Sequence, residues 1–233
     1  MYIHKCLFAN LKSMKKRFFP LKRGCFITLE GMEGCGKSTQ IRLLAQALEA
    51  ASYPVKITRS PGGTPAAERI RTILKQAVED EKLLPETELL LFGACHAQMT
   101  ASLVLPELEK GTILISDRFY DSTTAYQGYA RKMDLSLVKA INAFACKSVR
   151  PDLTLILDLA PEEGVRRSQK RGGAELDRFD SEKMEFHHAV RNAFLDMARK
   201  EPDRFRVIDA SRSEEEVHKA IMEEVYAGLE KLR

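Results

Sequence analysis

The chain has 233 residues, 44% of them hydrophobic, with 37 Lys and Arg against 33 Asp and Glu and a formal net charge of +4. That length suffices for one large α/β domain whose core needs no metal or disulfide staple. The five cysteines are odd in number and form no CxxC pair, which speaks against a secreted disulfide framework and a zinc site and for a reducing, cytoplasmic setting. No run approaches the roughly 18 apolar residues of a membrane span. Residues 1–24 hold seven Lys or Arg and no acid, which leaves 30 basic against 33 acidic residues in the rest, so neither a nucleic-acid nor a membrane partner is expected.

The basic leader, residues 1–22, has four readings: a targeting peptide, an arm for nucleic acid or a membrane surface, the product of an upstream start with Met14 as a second start, or a plain extension. Its apolar stretches are short for a signal peptide and its serines few for a transit peptide. A disordered extension or a start-site artefact is therefore expected, followed by a single domain over 23–233.

From residue 25 onward strand and helix patterns alternate, the mark of a parallel sheet covered on both faces. Near-continuous apolar runs predict buried strands at 26–30, 55–59, 112–116, 153–159 and 205–208. Helices are predicted at 38–51, 65–78, 86–110, 134–147, 161–170, 181–200 and 213–231, with Asp134 and Ser213 as N-caps and Pro161 in a first turn. The fold class that follows is α/β, a five-stranded parallel sheet with helices on both faces.

Directly after the first strand, residues 31–38 spell G-x-x-x-x-G-K-S: Gly31, Met32, Glu33, Gly34, Cys35, Gly36, Lys37 and Ser38, followed by Thr39. Glycines let successive N–H groups turn toward a polyanion, Lys37 suits the β- and γ-phosphates of ATP or GTP, and the Ser38 hydroxyl suits Mg²⁺. The N-terminus of the following helix favours the same phosphates. The strand at 112–116 ends in Asp117 and Arg118, a carboxylate that suits Mg²⁺ or its waters beside a bidentate phosphate ligand, or else a salt bridge. The turn Arg59-Ser60-Pro61-Gly62-Gly63-Thr64 brings backbone close to a ligand. The stretch 166–180, with Arg166, Arg167, Lys170, Arg171 and Arg178 around two glycines, reads either as a mobile lid or as a solvated charged helix face.

In this order, the phosphate loop, Pro61-Gly62-Gly63-Thr64, Asp117-Arg118-Phe119 and Ala125-Tyr126-Gln127-Gly128 resemble the thymidylate kinase family of P-loop nucleoside monophosphate kinases. Leu91-Phe92, Arg150-Pro151-Asp152, Leu176-Asp177-Arg178-Phe179 and Ile208-Asp209-Ala210 extend the likeness over residues 26–212. The resemblance implies transfer of a phosphoryl group from ATP, with Mg²⁺, to dTMP, and a homodimer to which the helix 86–110 contributes. It also implies that Phe92 stacks on thymine, that Thr123 and Gln127 meet the base edge, that Tyr126 packs on the sugar, and that Arg118 grips the acceptor phosphate. Arg59, Arg71 and Pro61 would help near base and phosphate, and Glu33 would face the sugar and metal. Arg166, Lys170 and Arg171 would supply transition-state charge from the lid, with Arg167 a lesser member. From the residues alone, Phe92 reads equally as core packing, and Glu33 and Gln127 as surface positions. A kinase of another nucleotide or deoxynucleoside is the alternative activity, and a regulatory NTPase a more distant one.

Three positions depart from the family pattern. Ser60 stands where a Glu is common. His96 replaces an arginine that bonds the thymine carbonyl, which implies weaker acceptor binding or pH sensitivity near the imidazole pKa, unless it is simply a part-exposed helix histidine. Cys35 replaces a small loop residue and, beside Lys37 and a helix N-terminus, is expected to react faster than the other thiols and to be protected by ATP; the alternative is a small buried thiol.

Overall fold

The computed structural model describes residues 21–75, 83–170 and 182–232, so the leader 1–20 and most of the 166–180 stretch lie outside the described residues. Strands β1 (Cys25–Glu30), β2 (Val55–Arg59), β3 (Ile113–Asp117), β4 (Leu153–Asp158) and β5 (Phe205–Asp209) form one parallel sheet in the order β2-β3-β1-β4-β5. β1 is the middle strand because every one of its side chains is buried, the pattern of a strand covered on both faces. Alternation along it divides the core. Ile27 and Leu29 pack toward the helices Lys37–Ala50 and Glu214–Lys231, whereas Phe26 turns to the opposite cluster with Met99, Leu114 and Phe119.

The register pairs Leu29 with Asp117 and Arg59 with Asp117, so the carboxyl ends of β1, β2 and β3 come out side by side. Here the strand order reverses, and such a crevice is where open α/β sheets take ligands.

Side-chain caps start two of the described helices. The Asp134 carboxylate accepts from the N–H groups of Ser136 and Leu137, and Ser213 forms a reciprocal capping box with Glu216. The long helix runs Pro85–Glu109 but widens to a π-type turn over Thr100–Val104, just before Pro106, whose ring cannot fit a regular α turn. The segment after Arg118, unassigned from sequence, is helical over Tyr120–Thr123 and continues as a wide π turn over Thr124–Ala130.

Reading the chain for apolar runs finds no segment of spanning length, yet the helix Pro85–Glu109 has the length and composition to cross a membrane; 44% of its most apolar window is buried inside the domain. It packs against the helices Pro65–Lys75 and Leu135–Ala145 and buries Glu88, His96 and Glu107 along its length.

Behind the sheet's ligand end, Arg204 donates to Asp121 through Nη1 at 2.6 Å and Nη2 at 3.0 Å and to Thr154 Oγ1 at 2.8 Å, with both charged side chains under 10% exposed. Removing one partner strands a buried charge. Asp121→Ala is expected to lower stability by about 3–5 kcal/mol, read from the urea midpoint; a loss under about 1 kcal/mol would show that Glu201 and solvent replace the carboxylate.

Candidate active site

The phosphate loop turns over the end of β1 with Gly36, in the left-handed region at φ 93°, as the N-cap of the helix Lys37–Ala50. Gly34 meets a tighter demand. A Cβ there would overlap the carbonyl oxygen of Gly164, and one on Gly164 would lie 2.7 Å from the carbonyl oxygen of Glu33, so the loop and the helix Pro161–Lys170 pack backbone to backbone. The Lys37 ammonium donates to the carbonyls of Met32 at 2.7 Å and Gly31 at 3.1 Å, and lies 3.6 Å from Cys35 Sγ. Cys35 itself is 3% exposed, packed into the main core beneath the loop. This placement fits the alternative of a small buried thiol, and a reagent reaches this sulfur only if the loop opens.

A cavity of about 380 Å³ opens beside the loop, lined among others by Glu33, Lys37, Asp117, Arg118, Phe92 and Gln127. Gly34, Gly36 and Ser38 also line it, whereas Gly31, Met32, Cys35 and Thr39 of the motif do not. Ser38 and Asp117 share this lining, a hydroxyl and a carboxylate of the hard-oxygen type that Mg²⁺ prefers.

Arg118 occupies the left-handed region at φ 68°, a strained turn for a non-glycine residue. Its backbone N–H donates to Leu29 O at 3.0 Å, and its guanidinium reaches Glu33 Oε1 at 2.5 Å and Ser122 Oγ at 3.0 Å. The Tyr126 hydroxyl donates to Glu33 Oε2 at 3.1 Å. Burial opposes the charge on Arg118, but Tyr126 and the carboxylates of Glu33, Glu30 and Asp117 outweigh it and raise its pKa well above the ordinary value. Burial likewise works against the Glu33 carboxylate, yet Arg118 and Lys37 pull its pKa down to about 2. Glu33 is therefore no detached surface residue.

Sequence reasoning passed over Glu30. It closes an otherwise apolar strand, is fully buried, and accepts the Phe119 N–H at 2.8 Å and the Ser122 hydroxyl at 2.6 Å. Burial pushes its pKa up to about 7, with Arg118, Ser122 and the Phe119 N–H opposing a larger rise. A lone acid ending a buried strand was the available signal.

On the β2 side, Arg59 pairs in bidentate fashion with Glu68 at 2.8 and 3.2 Å, Gly63 N–H donates to the same carboxylate at 2.9 Å, and Arg71 donates to Pro61 O at 2.7 Å. Arg59, Ser60, Pro61 and Arg71 all line the cavity. Ser60 supplies no carboxylate, and Glu68 organises this turn instead.

Phe92, His96, Thr123, Tyr126 and Gln127 also line the cavity. Phe92 is half-buried, lines the cavity and also packs against two core clusters. His96 is 1% exposed rather than part-exposed, edge-on to Phe119 at 5.2 Å between ring centroids, and neither ring nitrogen has a hydrogen-bond partner. Burial lowers its pKa to about 4, so the imidazole stays neutral where pH sensitivity was expected.

The lid residues sit differently from the expectation. Arg166 is on the exposed side of the helix Pro161–Lys170, bonded to Glu163 by two contacts of 2.7 Å, and Arg167 donates to Glu163 at 2.6 Å and to Ala210 O at 3.3 Å. Neither lines the cavity, because the i,i+3 and i,i+4 spacing to Glu163 captures both; from this helix Ser168 does. The side chain of Lys170, and all of Arg171 and Arg178, lie outside the described residues.

A family model described as thymidylate kinase matches residues 29–221. The chain is 51% identical over 189 residues to a thymidylate kinase of Pseudomonas fluorescens (strain Pf0-1), covering 81% of this chain and 89% of that protein. It is 46% identical over 196 residues to one of Syntrophotalea carbinolica, covering 82% and 90%. The crystal structure of thymidylate kinase from Ehrlichia chaffeensis superposes with a TM-score of 0.69 at 34% identity, covering 87% of this chain and 98% of that one.

For His96 the sign of the pH effect follows from the lowered pKa. An unfolded chain binds the proton near pH 6.5 and the folded one only near 4, so the neutral ring favours folding above about 6.5 and loses that contribution as pH falls toward 4. In a proton NMR titration the His96 ring signals are expected to hold constant from pH 8 to 5.5. A midpoint near 6.5 would contradict the buried placement.

Proposed function

We propose that this chain, which belongs to the thymidylate kinase family and phosphorylates dTMP, performs the transfer inside the cavity bounded by its phosphate loop, Arg118 and Phe92, with ATP as donor. The observation that carries this reading is that Lys37, at the head of the phosphate-loop helix, and Arg118, at the end of β3, line one cavity together with the Phe92 ring and the buried polar side chains of His96, Thr123 and Gln127. The donor's phosphates would lie on the loop amides of residues 33–38, with Lys37 exchanging its carbonyl partners for phosphate oxygens. Arg118 would clasp the acceptor phosphate, with thymine on Phe92 and its edge toward Thr123 and Gln127.

Phosphoryl transfer of this kind needs little covalent help from the protein. The acceptor is already an anionic oxygen, so alignment and neutralisation of spreading charge supply the catalysis, and no general base is required. Ser38 and Asp117 would hold Mg²⁺, which would supply neutralising positive charge for the phosphates. Glu33 and Ser122 hold the Arg118 fork before substrate arrives, which limits the rotamer freedom lost on binding. Lys170 and Arg171 remain candidates for lid-borne charge, and Arg166 would join them only by leaving Glu163. A cytoplasmic setting agrees with the reading, since all four described cysteines are free and buried.

Arg118→Ala is expected to reduce kcat/KM for dTMP by about 10²–10³-fold in an ADP-release assay, with folding checked by circular dichroism. Retention within about threefold would remove Arg118 from the acceptor site. Equal ADP release with and without dTMP would point instead to a regulatory NTPase.

The homodimer is proposed on the face of the neighbouring helices Pro85–Met99 and Leu135–Ala145, where Leu90, Leu137 and Phe144 are 63%, 51% and 86% exposed. Sedimentation equilibrium should give twice the chain mass for the wild type and a shift toward the chain mass for Phe144→Asp. A wild-type monomer would contradict the proposal.

A further inference from the structure

Among the described residues, three buried polar side chains that line the cavity have atoms without a hydrogen-bond partner: both ring nitrogens of His96, Thr123 Oγ1 and Gln127 Oε1. They differ in what they can offer a base. A neutral imidazole has one donor and one acceptor and exchanges them by tautomerism, and nothing bonded to His96 fixes which nitrogen carries the proton. A hydroxyl is equally adaptable. His96 and Thr123 can thus meet either a carbonyl or an amino group.

Gln127 is different. It is fully buried in the wide turn Thr124–Ala130, and its Nε2 donates to Glu88 Oε1 at 2.6 Å. Glu88 is 1% exposed, and its carboxylate is neighboured by the Arg131 guanidinium at 3.5 Å, which in turn pairs with Glu182 at 2.7 Å. Beside a carboxylate the amide has a single sensible orientation, because the flipped form would set oxygen against oxygen in a buried place. The –NH₂ end is turned toward Glu88, and the acceptor oxygen is left without a partner.

We propose that Glu88 is a positioning residue for acceptor selection: it locks the Gln127 amide so that an oxygen, and not a nitrogen, meets the base, which admits a pyrimidine with an N–H at ring position 3 and rejects one with a bare ring nitrogen there. Thymine and uracil carry that N–H and cytosine does not. With His96 and Thr123 indifferent, discrimination between keto and amino pyrimidines rests on this one amide and therefore on a carboxylate outside the cavity lining. The inference rests on the reading that the base lies against Phe92 and Gln127.

Glu88→Gln keeps the shape but lets the amide pair flip, since either end of the new side chain can partner either end of Gln127. The variant is expected to lose about tenfold or more of the dTMP-over-dCMP ratio in kcat/KM, chiefly through the two KM values, with kcat for dTMP kept within about threefold. A purely structural Glu88 would lower the melting temperature and leave that ratio unchanged, and this outcome overturns the proposal. The wild type supplies a second measurement that needs no variant to fold. N3-methyl-dTMP, which has no N–H at that position, should be turned over about 10²-fold or more less efficiently than dTMP, and parity overturns the proposal. Gln127→Ala separates the two layers. An unchanged KM for dTMP removes the base from this wall and the inference with it, whereas a raised KM combined with an unchanged Glu88→Gln ratio leaves the site standing and sinks the role of Glu88 alone.

Discussion

The carboxylate of Glu30 is the tie on which the geometry of the site depends. It ends the central strand in a fully buried place, accepts one bond from the backbone of Phe119 and one from the Ser122 hydroxyl, and lies 3.9 Å from the Arg118 guanidinium. A buried carboxylate with all its partners in place orients them strongly, because any lost bond leaves charge or polarity stranded. Through these contacts the strand that launches the phosphate loop holds the strained turn that presents Arg118, so donor and acceptor elements share one anchor. Glu33, from the loop itself, adds a second grip on the same guanidinium.

Close backbone packing complements that electrostatic anchor. Gly34 and Gly164 let the loop and the helix Pro161–Lys170 approach until no Cβ fits between them, which ties the position of that helix to that of the loop. Behind the site, Arg204 and Asp121 place a second buried ion pair where β4 and β5 meet the wide turn carrying Tyr126 and Gln127. The polar groups along the cavity therefore stand on a framework in which each buried charge has a defined partner.

Much of this molecule is legible along the chain. The five strands, the phosphate loop and the caps at Asp134 and Ser213 rest on short-range rules: apolar runs for strands covered on both faces, glycine spacing for an anion cradle, and side-chain oxygens that satisfy free N–H groups. The likeness to thymidylate kinases follows from ordered motifs and agrees with the matched family and the solved relative. Reading fails where a local pattern has two outcomes. Arg166 and Arg167 are spaced for a lid but also for capture by Glu163, and in this fold capture prevails. Cys35 and His96 carry chemistry that depends on exposure, which a helical or loop position does not specify, and both are buried.

By itself the sequence determined the architecture, the nucleotide cradle and the family, because each is written in residues close together in the chain and in their order. Only the tertiary structure decided which charges pair, which histidine stays neutral and which way an amide faces. Glu30 with Ser122, Glu33 with Arg118 and Glu88 with Gln127 are 92, 85 and 39 residues apart. Their protonation and orientation come from desolvation and from partners brought in by sheet order, and these are properties of the folded interior that no local spacing encodes.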